Sequence, residues 1–329
     1  MINQAVKLNP KIGVPDIEQV PTRQGYGEGV AELGARDPRV VVLTGDLAGS
    51  TNASTFGDKF PDRFIEVGIA EQNMMGIAAG LALVGKVPYI SSYAVFSPGR
   101  SWDQMRVSVA YSNTNVKIAG AHTGISVGPD GATHQALEDI AITRVLPNMT
   151  VVVPCDYLET KKAAVALGEM AGPAYFRFAR EKTPVMTTAE TPFRVGKAEI
   201  FKEGTQVALI GSGPVLYNGL LAALELEKEG ISVLVINNHT IKPIDEETII
   251  WAAKLTGAVV TLEEHQVMGG CGSAVAEVLA KNFPVPMEMV GMQNRFGESG
   301  EPNELIEQFG MGKDSVKAAI KKALLRKAK

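Results

Sequence analysis

Two α/β domains, each a mainly parallel sheet covered by helices on both faces, are what this chain of 329 residues predicts, on three observations. Runs that are apolar at every position, such as Val40-Val41-Val42-Leu43, alternate with segments of helical length. Strands buried on both faces read this way, whereas half-wet antiparallel strands alternate apolar and polar residues. The length allows two separate cores. A stretch at 183–205, richer in Pro, Thr and Gly, loses apolar periodicity and separates two series of strands as a linker.

In chain order, a polar, loose leader at 1–21 precedes Thr22, whose hydroxyl suits the cap of a helix running to Ala35. The first domain then occupies 22–182, with strands at 39–44, 64–67, 87–91, 116–119, 150–153 and 174–178 and helices at 97–112, 134–143 and 156–170. The second occupies 206–329, with strands at 206–210, 232–236, 258–262 and 287–290 and helices that include 217–229 and 246–255. From Gly68 to Val84 the chain is apolar on every side, which predicts an enclosed helix.

Composition excludes several functions. Hydrophobic residues make up 45% of the chain and charged residues 21%, with a net charge of −4, so no electrostatic case exists for nucleic acid. The basic run from Lys321 to Lys329 closes a helix, where cations suit the dipole, and is not a membrane anchor. No run of about 18 apolar residues or signal-peptide core is present. The two cysteines, Cys155 and Cys271, form neither a disulfide framework nor a metal-ligand spacing, and a reducing cytoplasm is the expected location.

Glu71 stands at the start of the apolar 68–84 segment. With Gly68 as cap it is a third-position carboxylate meeting the helix dipole; a desolvated carboxyl waiting for a ligand is the functional alternative. The densest polar cluster runs from Gly120 to Gln135 and holds His122 and His134, two of four histidines, on a Gly-rich loop after a strand end. Asp130-Gly131 suits a turn and Thr133 a helix cap for His134. A metal site from His122, Asp130 and His134 is one reading; acid–base work on a hydroxylated substrate by imidazoles titrating near neutrality fits the mix better. The glycines at 211–213 and 269–272 complete neither a dinucleotide nor a P-loop spacing.

Three strings together, Gly45-Asp46-Leu47-Ala48-Gly49-Ser50, Val67 to Asn73, and Gly128-Pro129-Asp130-Gly131-Ala132-Thr133-His134-Gln135, resemble the pyrimidine-binding domain of transketolases, and the second half resembles the transketolase C-terminal domain. The resemblance implies that Glu71 hydrogen-bonds N1′ of the aminopyrimidine of thiamine diphosphate, with Tyr93 and Phe96 packing on that ring. It assigns His122 and His134 to the catalytic and substrate channel, Asp130 to a substrate hydroxyl, and Arg23, Ser50 and Arg180 to a terminal phosphate. Arginine and hydroxyl groups are sound phosphate ligands. Two departures stand out: Pro98-Gly99, where transketolases continue a helix, and Gln24-Gly25-Tyr26 after Arg23.

The family's G-D-G and following Asn, which hold the diphosphate and its metal, have no counterpart here. The resemblance therefore implies the C-terminal subunit of a split transketolase, acting on sugar phosphates with an N-terminal subunit that holds the diphosphate and Mg²⁺ (or Ca²⁺), in a dimer of heterodimers. Alternatives are a 1-deoxyxylulose-5-phosphate synthase-like chain, a 2-oxoacid dehydrogenase E1 β-like subunit, or a non-catalytic scaffold. His122 and the 130–135 string speak against the first two.

Overall fold

The computed structural model describes residues 2–327 and is built on two large sheets. The first runs in the order Thr240–Lys242, Thr150–Val152, Ala174–Phe178, Lys117–Ala121, Val87–Tyr93, Val40–Thr44, Phe64–Glu66, and every neighbouring pair but the first is parallel. Its central strands are buried along their whole length, which is why they read as largely apolar; the charged exceptions, Lys117 and Arg177, are buried against the Met170 and Gly172 carbonyls and the Asp139 carboxylate, respectively. The second sheet runs Met287–Met292, Val259–Gln266, Val207–Gly211, Val233–Asn237, Glu199–Lys202, antiparallel only at the last pair. Thr240–Lys242, from the second half of the chain, edges the first sheet, so a backbone ladder stitches the two domains together.

Several expectations are corrected. The 183–205 stretch is not a free linker: Lys182–Pro184 pairs with Gln19–Pro21, and Glu199–Lys202 edges the second sheet. The leader is not loose, because Val6 and Leu8 pack into the second core and the Asn3 amide donates to the Phe201 carbonyl at 3.0 Å. Both segments draw their hydrogen bonds from distant chain, which local periodicity does not register. The basic terminal run does close a helix, Lys313–Lys327. Ala328 and Lys329, together with Met1 of the leader, lie outside the described residues.

Helix Thr22–Arg36 packs on helix Tyr157–Glu169 at a distance only glycine permits: a Cβ at Gly25 would sit 2.2 Å from the Tyr157 carbonyl oxygen. Thr22 is the first helical residue, not the cap. Its hydroxyl donates to the Ala179 carbonyl at 3.1 Å and accepts from the Ala179 amide at 2.8 Å. The expected helix at 97–112 begins only at Trp102 and becomes π-wound over Met105–Tyr111. That at 134–143 shrinks to Asp139–Arg144. His134 instead lies in a turn, its amide bonded to the Gly131 carbonyl, so Thr133 caps nothing.

The helix expected to be enclosed is Glu71–Leu83, and it is buried on one face only, through Glu71, Met74, Met75, Ala78 and Ala79. Its N-cap is Ala70, which makes Glu71 the first helical residue and not the third. Ile69, Leu83 and Val84 are 73–75% exposed. The adjoining π-helix leaves Val107 and Tyr111 exposed as well. The all-round apolar character thus describes a helix with one face in this chain's core and another open.

Candidate functional site

Five neighbouring parallel strands of the first sheet end on one edge, and each delivers a candidate residue there. Thr44 leads into the loop of Asp46 and Ser50; Glu66 leads through Gly68 to Glu71. Tyr93 ends its strand, His122 follows Ala121, and Arg180 lies two residues beyond Phe178. This is where open α/β sheets place ligands. One carboxylate joins the first two loops: Glu66 Oε1 accepts from the Asp46 amide at 2.7 Å and the Gly68 amide at 2.8 Å.

Glu71 is 1% exposed. Its Oε2 accepts from Arg100 Nη1 at 2.7 Å, and Ser92 Oγ stands 3.5 Å from Oε1. Beside it are the aromatic groups. Tyr93 and Phe96 stack with centroids 5.9 Å apart, and His134 presents its edge to Phe96 at 5.4 Å. Tyr93 stacks on His122 at 3.9 Å.

His122 has φ of 54°, a left-handed conformation that costs a non-glycine residue of order 1–3 kcal/mol and concentrates at functional sites. Its Nδ1 is buried with no hydrogen-bond partner among the described residues. Burial, aided by the positive charges of Arg23 and Arg180 and by His134, pushes its pKa down to about 3. This corrects the expectation of titration near neutrality: at pH 7 His122 is a neutral ring, able to hydrogen-bond but not to store a proton. The unmet nitrogen and the converging arginines fit a hydroxylated, anionic ligand.

Arg23 Nη1 donates to the Ser50 carbonyl at 2.8 Å. Arg180 Nη1 reaches the Val127 carbonyl at 3.2 Å and Asp130 Oδ1 at 3.4 Å. His134 Nδ1 and Thr133 Oγ1 are 2.9 Å apart. The expected residues therefore come together, but Asp130 and His134 already have protein partners. Among the described residues no group of three His, Cys, Asp or Glu side chains is arranged to hold a metal ion.

Sequence reasoning missed the residues that fix this loop and this carboxylate. Gln135 Nε2 donates to the Ile125 carbonyl at 3.1 Å and to Glu298 of the second domain at 2.9 Å. Glu264 Oε1 accepts from the Ser126 amide at 2.6 Å. The loop thus rests on the second domain, a contact with no local signature. Arg100 had one available signal, its place directly after the anomalous Pro98-Gly99 pair.

Fold and geometry define an α/β chain whose candidate site gathers at the strand ends of one sheet and is braced by a second α/β domain. The chain belongs to the transketolase family: residues 18–186 match the model for "Transketolase, pyrimidine binding domain" and residues 196–316 that for "Transketolase, C-terminal domain". It is 43% identical to a protein of Methanocaldococcus jannaschii described as a transketolase C-terminal section, over 91% of this chain and 94% of that one. It is 40% identical to a 6-deoxy-6-sulfo-D-fructose transketolase subunit of a Clostridium species, over 92% and 94%. A solved structure titled as a split gene transketolase, inactive β4 tetramer, superposes with a TM-score of 0.88 at 46% identity, covering 94% of this chain and 99% of that one. In extent and sequence the chain corresponds to the C-terminal subunit of a split transketolase.

Proposed function

We propose that this chain supplies the pyrimidine half of a thiamine diphosphate site and, with an N-terminal subunit holding the diphosphate and Mg²⁺ (or Ca²⁺), transfers a two-carbon ketol unit from a ketose phosphate to an aldose phosphate. The observation that carries this reading is the convergence of Glu71, Tyr93, Phe96, His122, His134 and Arg180 on one sheet edge. When bound, that cofactor supplies the nucleophilic carbon and the electron sink that cleavage beside a carbonyl requires.

The chain's own residues then have separable tasks. Glu71 shares a proton with the ring nitrogen from a desolvated position, and Tyr93 and Phe96 pack on the ring. His122 donates or accepts as a neutral imidazole, and His134 moves protons at the substrate oxygens. Asp130 takes a substrate hydroxyl. Arg180, Arg23 and Ser50 hold the terminal phosphate, which requires Arg180 to leave Asp130.

Assembly follows from the open apolar face. Leu83, Val84, Val107 and Tyr111 are exposed on or beside two adjoining helices, and Ile69 is exposed ahead of the first, a set of large apolar side chains left open along one side of the chain. A dimer of heterodimers would cover it, and a related β tetramer is titled inactive. Mixing this chain with its N-terminal subunit, thiamine diphosphate and Mg²⁺, then following ketose-to-aldose transfer, tests the reading. Activity should require both chains; full turnover by this chain alone would sink the split site.

A further inference from the structure

We propose that Arg100 is a positioning residue for Glu71 which occupies the place of the cofactor's ring and swings aside when the ring enters; this rests on the function proposed above. The guanidinium makes two contacts at once. Nη1 donates to Glu71 Oε2 at 2.7 Å, and the guanidinium carbon lies 4.6 Å from the centre of the Phe96 ring. A flat, delocalised group with N–H donors, held by a carboxylate and laid on an aromatic face, presents the same features by which an aminopyrimidine would be held there.

The burial asymmetry explains why such a group is needed and how it leaves. The Glu71 side chain is 1% exposed and the Arg100 side chain 45%. A carboxylate so desolvated needs a charge partner whenever no ligand is present. Its other neighbour, Ser92 Oγ at 3.5 Å, is at the limit of hydrogen bonding and carries no charge. Arg100, on a half-exposed side chain, can rotate into solvent and regain hydration there. The local chain is shaped for the contact: a Cβ at Gly99 would meet the Val95 carbonyl oxygen at 2.2 Å, so only glycine lets the backbone fold back and bring Arg100 over Phe96.

The free subunit is thus stabilised by an ion pair that the loaded site gives up. Removing Arg100 raises the free state and leaves the loaded state alone, so the cofactor binds more tightly. The test uses the complex reconstituted from this chain and its N-terminal subunit, titrated with thiamine diphosphate and Mg²⁺ by calorimetry. Arg100→Ala should lower the apparent Kd about tenfold, with Arg100→Lys in between, because the ring no longer competes with an internal occupant. The melting temperature of the cofactor-free Arg100→Ala chain should fall. Methylguanidinium in the millimolar range should restore that temperature and compete with the cofactor in Arg100→Ala. An unchanged or higher Kd for Arg100→Ala, in a complex where Glu71→Ala weakens binding, overturns the role of Arg100 while leaving the site intact. A wild-type complex that binds no cofactor, or one indifferent to Glu71→Ala, overturns the site and this inference together.

Discussion

Tyr93 and His122 stack with ring centroids 3.9 Å apart and planes 18° from parallel, although 29 positions of sequence separate them. The cause is register. Tyr93 lies opposite Ala121 on the neighbouring parallel strand, and His122 is the next residue. Strands about 4.8 Å apart bring rings at matched ends to stacking distance, and the left-handed turn at His122 ends the strand there. One wall of the candidate site is therefore built by two strand ends in register.

Glu71→Ala should fold and assemble yet lose turnover by about a hundredfold or more, the usual scale for a proton-transfer group, with Glu71→Gln nearly as poor. Turnover is compared in complexes of matched stoichiometry. Retention of more than about a tenth of wild-type activity would return Glu71 to the role of a helix-end carboxylate.

His134→Ala should act mainly on kcat, since proton transfer is felt in the transition state, whereas Arg180→Ala should raise KM for phosphorylated sugars, a contact made in the ground state as well. Arg180 also restrains Asp130 in the free chain, so a small effect on hydroxyl recognition is expected too. Steady-state kinetics with phosphorylated and unphosphorylated acceptors separate the two; equal losses on both acceptors would remove the phosphate role.

Burial keeps His122 and His239 neutral down to about pH 3 and His265 to about pH 4. Unfolded histidines protonate near 6.5. Below that value the unfolded chain takes up protons that the folded chain refuses, so the contribution of these rings is full above about pH 6.5 and is lost as pH falls towards the folded values, while Glu159 and Glu263, whose carboxyls burial pushes up to about 8, act in the opposite direction. Across this window the urea midpoint should fall less steeply with falling pH in His239→Asn than in the wild type, by about one proton. Equal slopes for the wild type and His239→Asn between pH 6.5 and 4 would contradict a buried neutral ring at that position.

Leu83→Asp and Tyr111→Asp should leave the isolated chain's stability within about 0.5 kcal/mol, because both side chains lie largely in solvent. In the same variants the complex with the N-terminal subunit should not form, since each charge would be desolvated at the interface. Light scattering of the mixtures reads this out; wild-type assembly by both variants would place the interface elsewhere.

By itself the sequence determined the architecture and most of the candidate residues. An apolar run such as Val40-Val41-Val42-Leu43 announces a doubly buried strand because burial on both faces is a local requirement, and the strand found there, Val40–Thr44, matches the expected 39–44 to within a residue. The three family strings carried Ser50, Glu71, Asp130 and His134 because site loops that follow strand ends are continuous in the chain. The tertiary structure alone decided what lies between elements distant in sequence. It paired Thr240–Lys242 with the first sheet, rested the 122–135 loop on Gln135, Glu264 and the second domain, and opened one face of the Glu71–Leu83 helix to solvent. It also brought Arg100 onto Glu71. Hydrogen bonds and ion pairs depend on where side-chain atoms converge in space, and desolvation depends on what covers them; neither leaves a period in the sequence.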